Sequence, residues 1–287
     1  MQDCDLLKLI VLIGCFQMDE QLDRIYLYRF ESNDNERIKQ LLDSKFYISD
    51  PNKFNDPLDF KLEVKDKTFS SYDDEKFKKL VKFIFEEQVV DDFWIFDEQV
   101  KEVISNWYNN ADLSVDLEKV ISSFKQRVMT FGVRCFMRGY KNPLSWSHYA
   151  KGHQGFCIEY EFNPMVLATR NNSKWAFYHV NYSNRLPELC ISELLLTPRQ
   201  AMEKLFATKS IEWAYEQEVR IVNFESKSCL VDIPSGLKMN RLIAGVNMPK
   251  EQIETLKSIG LRLDIPVYQM QRNNSDFESL WGSKRIT

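Results

Sequence analysis

Strand-like and helix-like segments follow one another along this chain without regular alternation, and this order limits its possible folds more than any other feature. Residues 24–30 alternate and are rich in tyrosine, which is typical of a β-strand. Further strands are predicted at 46–49, 132–137, 156–162, 175–182, 219–224, 242–246 and 261–268, and helices at 33–42, 73–109, 115–130, 191–207 and 250–258. A doubly wound parallel sheet requires alternating strands and helices. The sequence therefore predicts an α+β fold with a mixed, mostly antiparallel sheet.

The length of the chain and the position of the helices predict its domain organisation. Its 287 residues predict one α+β domain over 23–287, with a largely helical insert at about 70–130. Residues 1–22 are interpreted as an N-terminal extension, either an extra helix or a tail. Their apolar run is too short to span a membrane, and its flanking charges do not fit a secretory leader. We therefore predict a cytoplasmic protein without a membrane partner.

Charge and metal-binding residue types narrow the functional classes. The 38 basic and 42 acidic side chains give a net charge of −4, which argues against a dedicated binder of duplex DNA but leaves open a local groove for RNA. The six cysteines are scattered, with no C-x-x-C pair, as expected of thiols in a reducing compartment. Because cysteine and histidine pairs at metal-ligand spacing are missing from the sequence, no metal site is predicted.

Two early segments contain candidate ligand-binding residues. Tyr28 and Arg29 lie in the first predicted strand, where an arginine either faces solvent or binds a carboxylate or phosphate with its planar guanidinium. Asn55 and Asp56 lie in a turn-rich F-N-D-P segment. That segment is also good turn chemistry in any protein, so a purely structural turn is the alternative.

A third segment is dense in aromatic and imidazole side chains. Trp146, His148, Tyr149 and His153 lie within eight residues, before a glycine-containing turn and an apolar strand. On a helical turn these side chains would spread over adjacent faces. Such a surface can stack a planar ring while hydrogen-bonding its edge, which makes the four residues candidates for binding a nucleotide.

The fourth segment contains a pair of carboxylates. If Glu216 opens a strand, then Glu216, Glu218 and Arg220 share one face, because side chains alternate with a period of two. One interpretation is an exposed edge on which Arg220 bridges its neighbours. The functional interpretation is a catalytic carboxylate pair that grips ribose hydroxyls and stabilises positive charge at a sugar carbon.

Taken in order, these blocks resemble the bacterial domain-of-unknown-function family 2971. The resemblance rests on an opening Y-R-F strand, the F-N-D-P turn, a C-F…W-x-H-Y-A…H-x-G-x-C-I-E-Y block and a late W-x-Y-E-x-E-x-R segment, and it covers roughly residues 25–270. The family often continues the C-F dipeptide with serine, whereas Met137 follows here. The resemblance implies kinship but no established activity.

The order of three elements is also similar to that of ADP-ribosyltransferases of the arginine-serine-glutamate type. Arg29, the predicted strand 132–137 and the E-x-E at Glu216 and Glu218 follow that order. The resemblance implies an NAD-using enzyme, such as a toxin or phage-defence effector, that modifies a protein or nucleic acid. Arg29 would bind the NAD phosphates, and Glu218 would be the catalytic carboxylate with Glu216 as its partner. The alternative is a non-catalytic module that binds a nucleotide or RNA by stacking.

Overall fold

The computed structural model describes residues 25–66, 117–167, 174–190, 198–272 and 281–287. The predicted N-terminal extension 1–22 and the predicted helix 73–109 lie outside these residues. The proposed domain boundaries therefore stay predictions.

A large antiparallel sheet organises the described residues. The strands are β1 (Ile25–Glu31), β2 (Lys45–Ile48), β3 (Glu63–Asp66), β4 (Gly132–Met137), β5 (Phe156–Phe162), β6 (Trp175–His179), β7 (Asn181–Ser183), β8 (Glu188–Cys190), β9 (Thr208–Ser210), β10 (Glu218–Asn223), β11 (Cys229–Asp232), β12 (Leu237–Ala244), β13 (Val267–Arg272) and β14 (Trp281–Arg285). Eight of them form one sheet in the order β14-β13-β12-β5-β1-β4-β10-β6. Every neighbouring pair in this sheet is antiparallel except β12 and β13. The predicted fold class, α+β with a mostly antiparallel sheet, is confirmed.

Short helices connect and cover the strands. They are α1 (Asn35–Gln40), α2 (Leu117–Val128), α3 (Pro143–Tyr149), α4 (Pro164–Leu167), α5 (Pro198–Phe206) and α6 (Lys250–Leu263), with 3-10 turns at Leu41–Asp43, Pro51–Lys53 and Ile211–Glu216. The start of α3 is well defined, because Pro143 occupies its first turn and the Asn142 side chain accepts a hydrogen bond from the Leu144 N–H at 2.9 Å. Within the described residues, no helix is both long and apolar enough to cross a membrane.

The two faces of the sheet pack against different helices. Leu27 of β1 belongs to a core that includes Leu256 of α6. Phe30 of the same strand belongs to the core on the other face, where the Phe30 and Trp146 rings meet edge to face at 5.1 Å between centroids. Trp146 belongs to α3. Side chains of a strand alternate between faces. Adjacent residues of β1 therefore face different surroundings, and this separation matters for the site described below.

The strongest sequence patterns gave accurate element bounds, and the weakest did not. β4 and β5 have the predicted bounds 132–137 and 156–162. The predicted strand 261–268 is wrong at its start: α6 continues to Leu263 and ends where Asp264 adopts a positive φ of 54°, so β13 begins only at Val267. The apolar residues at 261, 263 and 265 alternate as in a strand, but Leu261 lies on the exposed side of the helix end, where it is 73% exposed. The predicted strand 175–182 is divided between β6 and β7.

Candidate functional site

A gap in the large sheet defines the site. Strands β1 and β4 are neighbours, but they pair only at Tyr28 and Met137. Further along β4, Val133 pairs instead with Ser49, which follows β2. Between these two bridges the strands separate and leave a cleft of about 260 Å³. The 3-10 turn Pro51–Lys53 and the residues after it extend over this gap, so Phe54 and Asn55 also line the cleft.

Arg29 lies in the gap and belongs to a cluster of basic side chains. Its Nη1 donates to the Cys135 carbonyl of β4 at 3.1 Å, and its Nε donates to Glu31 at 3.2 Å. Arg134 donates to the same carboxylate at 2.8 Å, and Arg37 approaches it at 3.6 Å. We call Arg29, Arg37, Arg134 and Glu31 the arginine cluster. Its three cations exceed its single carboxylate, which leaves two positive charges in excess.

The arginine cluster strongly perturbs Glu31. Burial alone would raise the pKa of its carboxyl, but the positive charges of Arg29, Arg134 and Arg37 outweigh burial and lower the pKa to about 2. Glu31 is therefore ionised at any physiological pH. The Arg29 side chain is 27% exposed, and its Nη2 makes no hydrogen bond to a described residue. This nitrogen is available to an anion in the cleft.

Acidic side chains gather on the other side of the gap. Lys209 Nζ donates to Glu216 at 2.6 Å and to Glu218 at 3.1 Å. Arg220 binds Glu218 at 3.0 and 3.1 Å and Asp59 at 2.8 Å. All five side chains are buried. We call them the carboxylate network. With every member ionised, its three carboxylates exceed its two cations by one negative charge.

The two glutamates of the carboxylate network differ in acidity. Burial would raise the pKa of Glu218, but Arg220 and Lys209 outweigh it and lower the pKa to about 2. Among the described residues Glu216 has no arginine partner, and it shares Lys209 with Glu218. Its burial, reinforced by the negative charge of Glu218, outweighs Lys209, so the pKa of Glu216 is raised. Two neighbouring carboxyl groups with diverging pKa values are typical of acid–base sites.

Local backbone structure brings these carboxylates together in an unexpected way. The condition that Glu216 opens a strand does not hold, because Glu216 ends the 3-10 turn Ile211–Glu216 and β10 begins at Glu218. Between them Gln217 has a left-handed φ of 46° and ends the 3-10 turn. Both carboxylates reach Lys209, although only Glu218 and Arg220 share the face of a strand.

The structure brings six of the predicted site residues to one cleft: Tyr28, Arg29, Asn55, Tyr149, Glu216 and Glu218. The register explains how both charged clusters reach it. Tyr28 pairs with Met137, and Met137 pairs with Glu218, so these three lie on one face, while Arg29 belongs to the opposite face. Both faces contribute because the cleft passes through the gap. The Tyr149 hydroxyl donates a hydrogen bond to Glu216 and so connects α3 to the carboxylate network.

The other predicted residues do not line this cleft. Trp146 is fully buried and its Nε1 donates to the Tyr140 carbonyl at 2.6 Å, so it cannot stack a ligand. Arg220 is fully buried within the carboxylate network. Asp56 accepts a hydrogen bond from the Leu58 N–H at 2.9 Å, as a turn residue does. His153 contacts Ser147 at 3.1 Å, and His148 lies outside the cleft beside other aromatic rings.

Sequence reasoning missed Lys209 and Asp59 as site residues. Lys209 lines the cleft and contacts both glutamates, but nothing in its spacing distinguishes it from a solvent-exposed lysine. Asp59 lies in the same turn-rich segment as Asn55 and Asp56, so that segment supplies a buried carboxylate to the network. Among the described residues, no group of three or more His, Cys, Asp and Glu side chains has the arrangement of a metal site.

The fold and cleft define an α+β protein with a cleft between two oppositely charged clusters. Residues 145–221 match a family described as a protein of unknown function (DUF2971). The matched segment includes Tyr149, Lys209, Glu216 and Glu218, whereas Arg29 and Asn55 lie before it. No curated protein and no solved structure matches the chain.

Proposed function

We propose that the protein is an ADP-ribosyltransferase-like enzyme that uses NAD as a substrate. The observation that carries this proposal is the opposite excess charge on the two sides of one cleft. NAD has an anionic pyrophosphate and a cationic nicotinamide ring. A cleft with an arginine cluster on one side and a carboxylate network on the other is complementary to a ligand of this kind.

The arginine side supplies the phosphate contacts in this proposal. Hydrogen bonds to Cys135 and Glu31 hold Arg29 in place, and its Nη2 makes no hydrogen bond to a described residue. A guanidinium held in this way can donate to a phosphate oxygen with little loss of conformational entropy. Lys53 lines the same cleft and adds a further positive charge. Pockets for small ligands are usually larger than about 300 Å³. We therefore expect the cleft to enclose the reacting half of the dinucleotide.

The carboxylate side supplies the chemistry. The glycosidic bond between ribose C1′ and the nicotinamide nitrogen breaks, and neutral nicotinamide leaves with the bonding pair. Water or an acceptor atom bonds to C1′ and transfers its proton to Glu216, whose raised pKa suits proton exchange. Glu218 stays ionised and stabilises the positive charge that develops on the ribose. A toxin or a phage-defence effector is a setting in which such a reaction has a use.

One observation favours a second candidate, a non-catalytic nucleotide-binding module. Both glutamates already accept hydrogen bonds on each carboxylate oxygen, from Lys209, Arg220 and Tyr149. A network satisfied in this way can serve as a rigid support for a cleft that only binds its ligand. The two candidates differ in a single measurable product, because only the enzyme releases nicotinamide.

The test is incubation of the full chain with NAD, with and without cell extract, followed by chromatography for nicotinamide and mass spectrometry for ADP-ribose adducts. We expect nicotinamide to accumulate in proportion to enzyme. Titration calorimetry should show NAD binding that Arg29→Ala weakens by roughly tenfold or more, because a charge-assisted contact to phosphate is lost. Binding of NAD without nicotinamide or adducts would favour the binding module, and failure to bind NAD would exclude the enzyme.

A further inference from the structure

Three aromatic rings form a cluster beside the carboxylate network. The ring centroids of His148, Trp213 and Tyr215 lie 6.1 to 6.4 Å from one another. His148 is exposed, and Trp213 and Tyr215 are half-buried. We call this cluster the aromatic rim. It holds one of the predicted ligand-binding residues, His148, that the cleft does not use.

The chain connects the aromatic rim directly to the proposed reaction site. His148 precedes Tyr149, whose hydroxyl donates to Glu216, and Tyr215 precedes Glu216 itself. Lys209 Nζ lies 4.8 Å from the centroid of the Trp213 ring. Because Lys209 is buried, one face of the Trp213 indole faces the protein interior, and the exposed part of the ring faces solvent. A group stacked on the rim would therefore lie next to the carboxylates.

The surroundings of the rim are apolar and basic. Leu144 and Ile211 are 47% and 42% exposed and enlarge the apolar surface. Arg138 and Lys141 are exposed and belong to the segment that runs beside the rim, where the Arg138 N–H donates to the Gln217 carbonyl at 3.2 Å. The Arg138 guanidinium also contacts His179 Nδ1 at 2.6 Å. The Asn142 side chain also donates to the Tyr215 carbonyl at 3.2 Å. Glu212 is the exposed acidic residue of the 3-10 turn that contains Trp213 and Tyr215.

We propose that the aromatic rim binds a base of a single-stranded nucleic acid, with Arg138 and Lys141 contacting its phosphates. Aromatic side chains flanked by cations are the usual means of binding single strands, because every base has a face that can stack. A duplex keeps its bases stacked on one another and so does not offer them to the rim. The nucleic acid could also be the acceptor of ADP-ribose, and that role rests on the proposed function. Its binding to the aromatic rim does not rest on it.

Fluorescence anisotropy with labelled single-stranded DNA, single-stranded RNA and duplex DNA of equal length tests the proposal without NAD. We expect a single strand to bind more tightly than the duplex, with an affinity that falls as salt increases. Trp213→Ala and His148→Ala should each weaken binding by roughly fivefold to a hundredfold, the range for loss of one stacked base. Lys141→Gln should reduce the slope of log affinity against log salt by about 0.7.

The matched control is Leu261→Ala, which removes a 73% exposed apolar side chain from α6 and should leave binding unchanged. His148 is exposed, so its variant tests the rim even if Trp213→Ala impairs folding. Equal affinity for single strand and duplex, or single-strand binding that both ring variants leave intact, would overturn the proposal. Oligonucleotide binding without nicotinamide release would retain the rim and reject the enzyme. Nicotinamide release without oligonucleotide binding would do the reverse.

Discussion

The arginine cluster and the carboxylate network lie on opposite faces of one sheet, and both reach the same gap between β1 and β4. In the arginine cluster, three guanidinium groups surround the single carboxylate of Glu31. In the carboxylate network, Lys209 and Arg220 hold three carboxylates. Each cluster pairs part of its charge internally, and the excess that remains is positive in the arginine cluster and negative in the carboxylate network.

This difference separates what stabilises the fold from what the cleft offers to a ligand. Paired charges inside a protein recover most of their desolvation energy, whereas an uncompensated buried charge does not. An excess charge on each side of a cleft is therefore unfavourable in the free protein and is relieved by a ligand of opposite charge. Removing a paired charge and removing an excess charge should have very different effects.

The largest expected effect compares Glu31→Gln with Glu216→Gln. Glu31→Gln leaves Arg29 and Arg134 without a carboxylate, so the free energy of unfolding should fall by about 3–5 kcal/mol. Glu216→Gln removes the excess negative charge, and Lys209 keeps Glu218, so the loss should be below about 1 kcal/mol. Urea unfolding of the two variants and the wild type measures both values. Equal losses would show that the two clusters do not differ in this way.

The same pair of residues should respond oppositely to pH. The folded pKa of Glu31 is lowered from 4.5 to about 2, so its ionised form contributes stability above the unfolded pKa, and this contribution is lost as pH falls toward 2. It amounts to about 3 kcal/mol. The folded pKa of Glu216 is raised, so its ionisation disfavours the fold, and lowering the pH removes that penalty. The stability difference between wild type and each variant, followed from pH 7 downward, should shrink for Glu31→Gln. It should shift in favour of the wild type for Glu216→Gln.

Loss of the permanent negative charge at Glu218 should reduce catalysis rather than NAD binding. Glu218→Gln keeps the shape of the side chain, and loss of one preorganised electrostatic contact typically lowers turnover by about a hundredfold. The affinity for NAD should change much less than turnover does, because the positive charge reaches the ribose only in the transition state. Glu225→Gln is the control, since Glu225 is exposed and pairs only loosely with Lys174 at 3.8 Å. Nicotinamide release at the wild-type rate by folded Glu218→Gln would remove Glu218 from the mechanism.

The sequence indicated the fold more completely than the site. β4 and β5 were predictable because they are rich in aromatic and β-branched residues and lie between clear turns. The spacing of Glu216 and Glu218 suggested one strand face, and the two side chains do converge. They do so through the left-handed Gln217 and through Lys209, which a period of two cannot reveal. Local patterns encode local structure, whereas a buried lysine shared by two carboxylates depends on tertiary packing.

The aromatic block shows the opposite error. Trp146, His148, Tyr149 and His153 are close in sequence, which suggested one binding surface. Helix α3 instead directs Trp146 into the core and Tyr149 toward Glu216, while His148 stays exposed. Residues one or two apart on a helix point in different directions. Sequence proximity identified α3 as an element that reaches the cleft, but not the direction of each of its side chains.

The smallest expected effect concerns Arg37, the exposed member of the arginine cluster. Arg37 and Arg134 contact the same carboxylate, at 3.6 and 2.8 Å, but their side chains are 41% and 5% exposed. Water screens the exposed pair, so Arg37→Gln should lower the free energy of unfolding by less than about 1 kcal/mol, and added salt should abolish even this loss. Arg134→Gln is the matched comparison and should cost several times more, because it removes a buried partner of Glu31 and the hydrogen bond to the Tyr47 carbonyl. Urea unfolding of both variants at low and high salt measures the difference. If the two losses were equal and equally sensitive to salt, the difference in burial between Arg134 and Arg37 would have no effect on their contributions to stability.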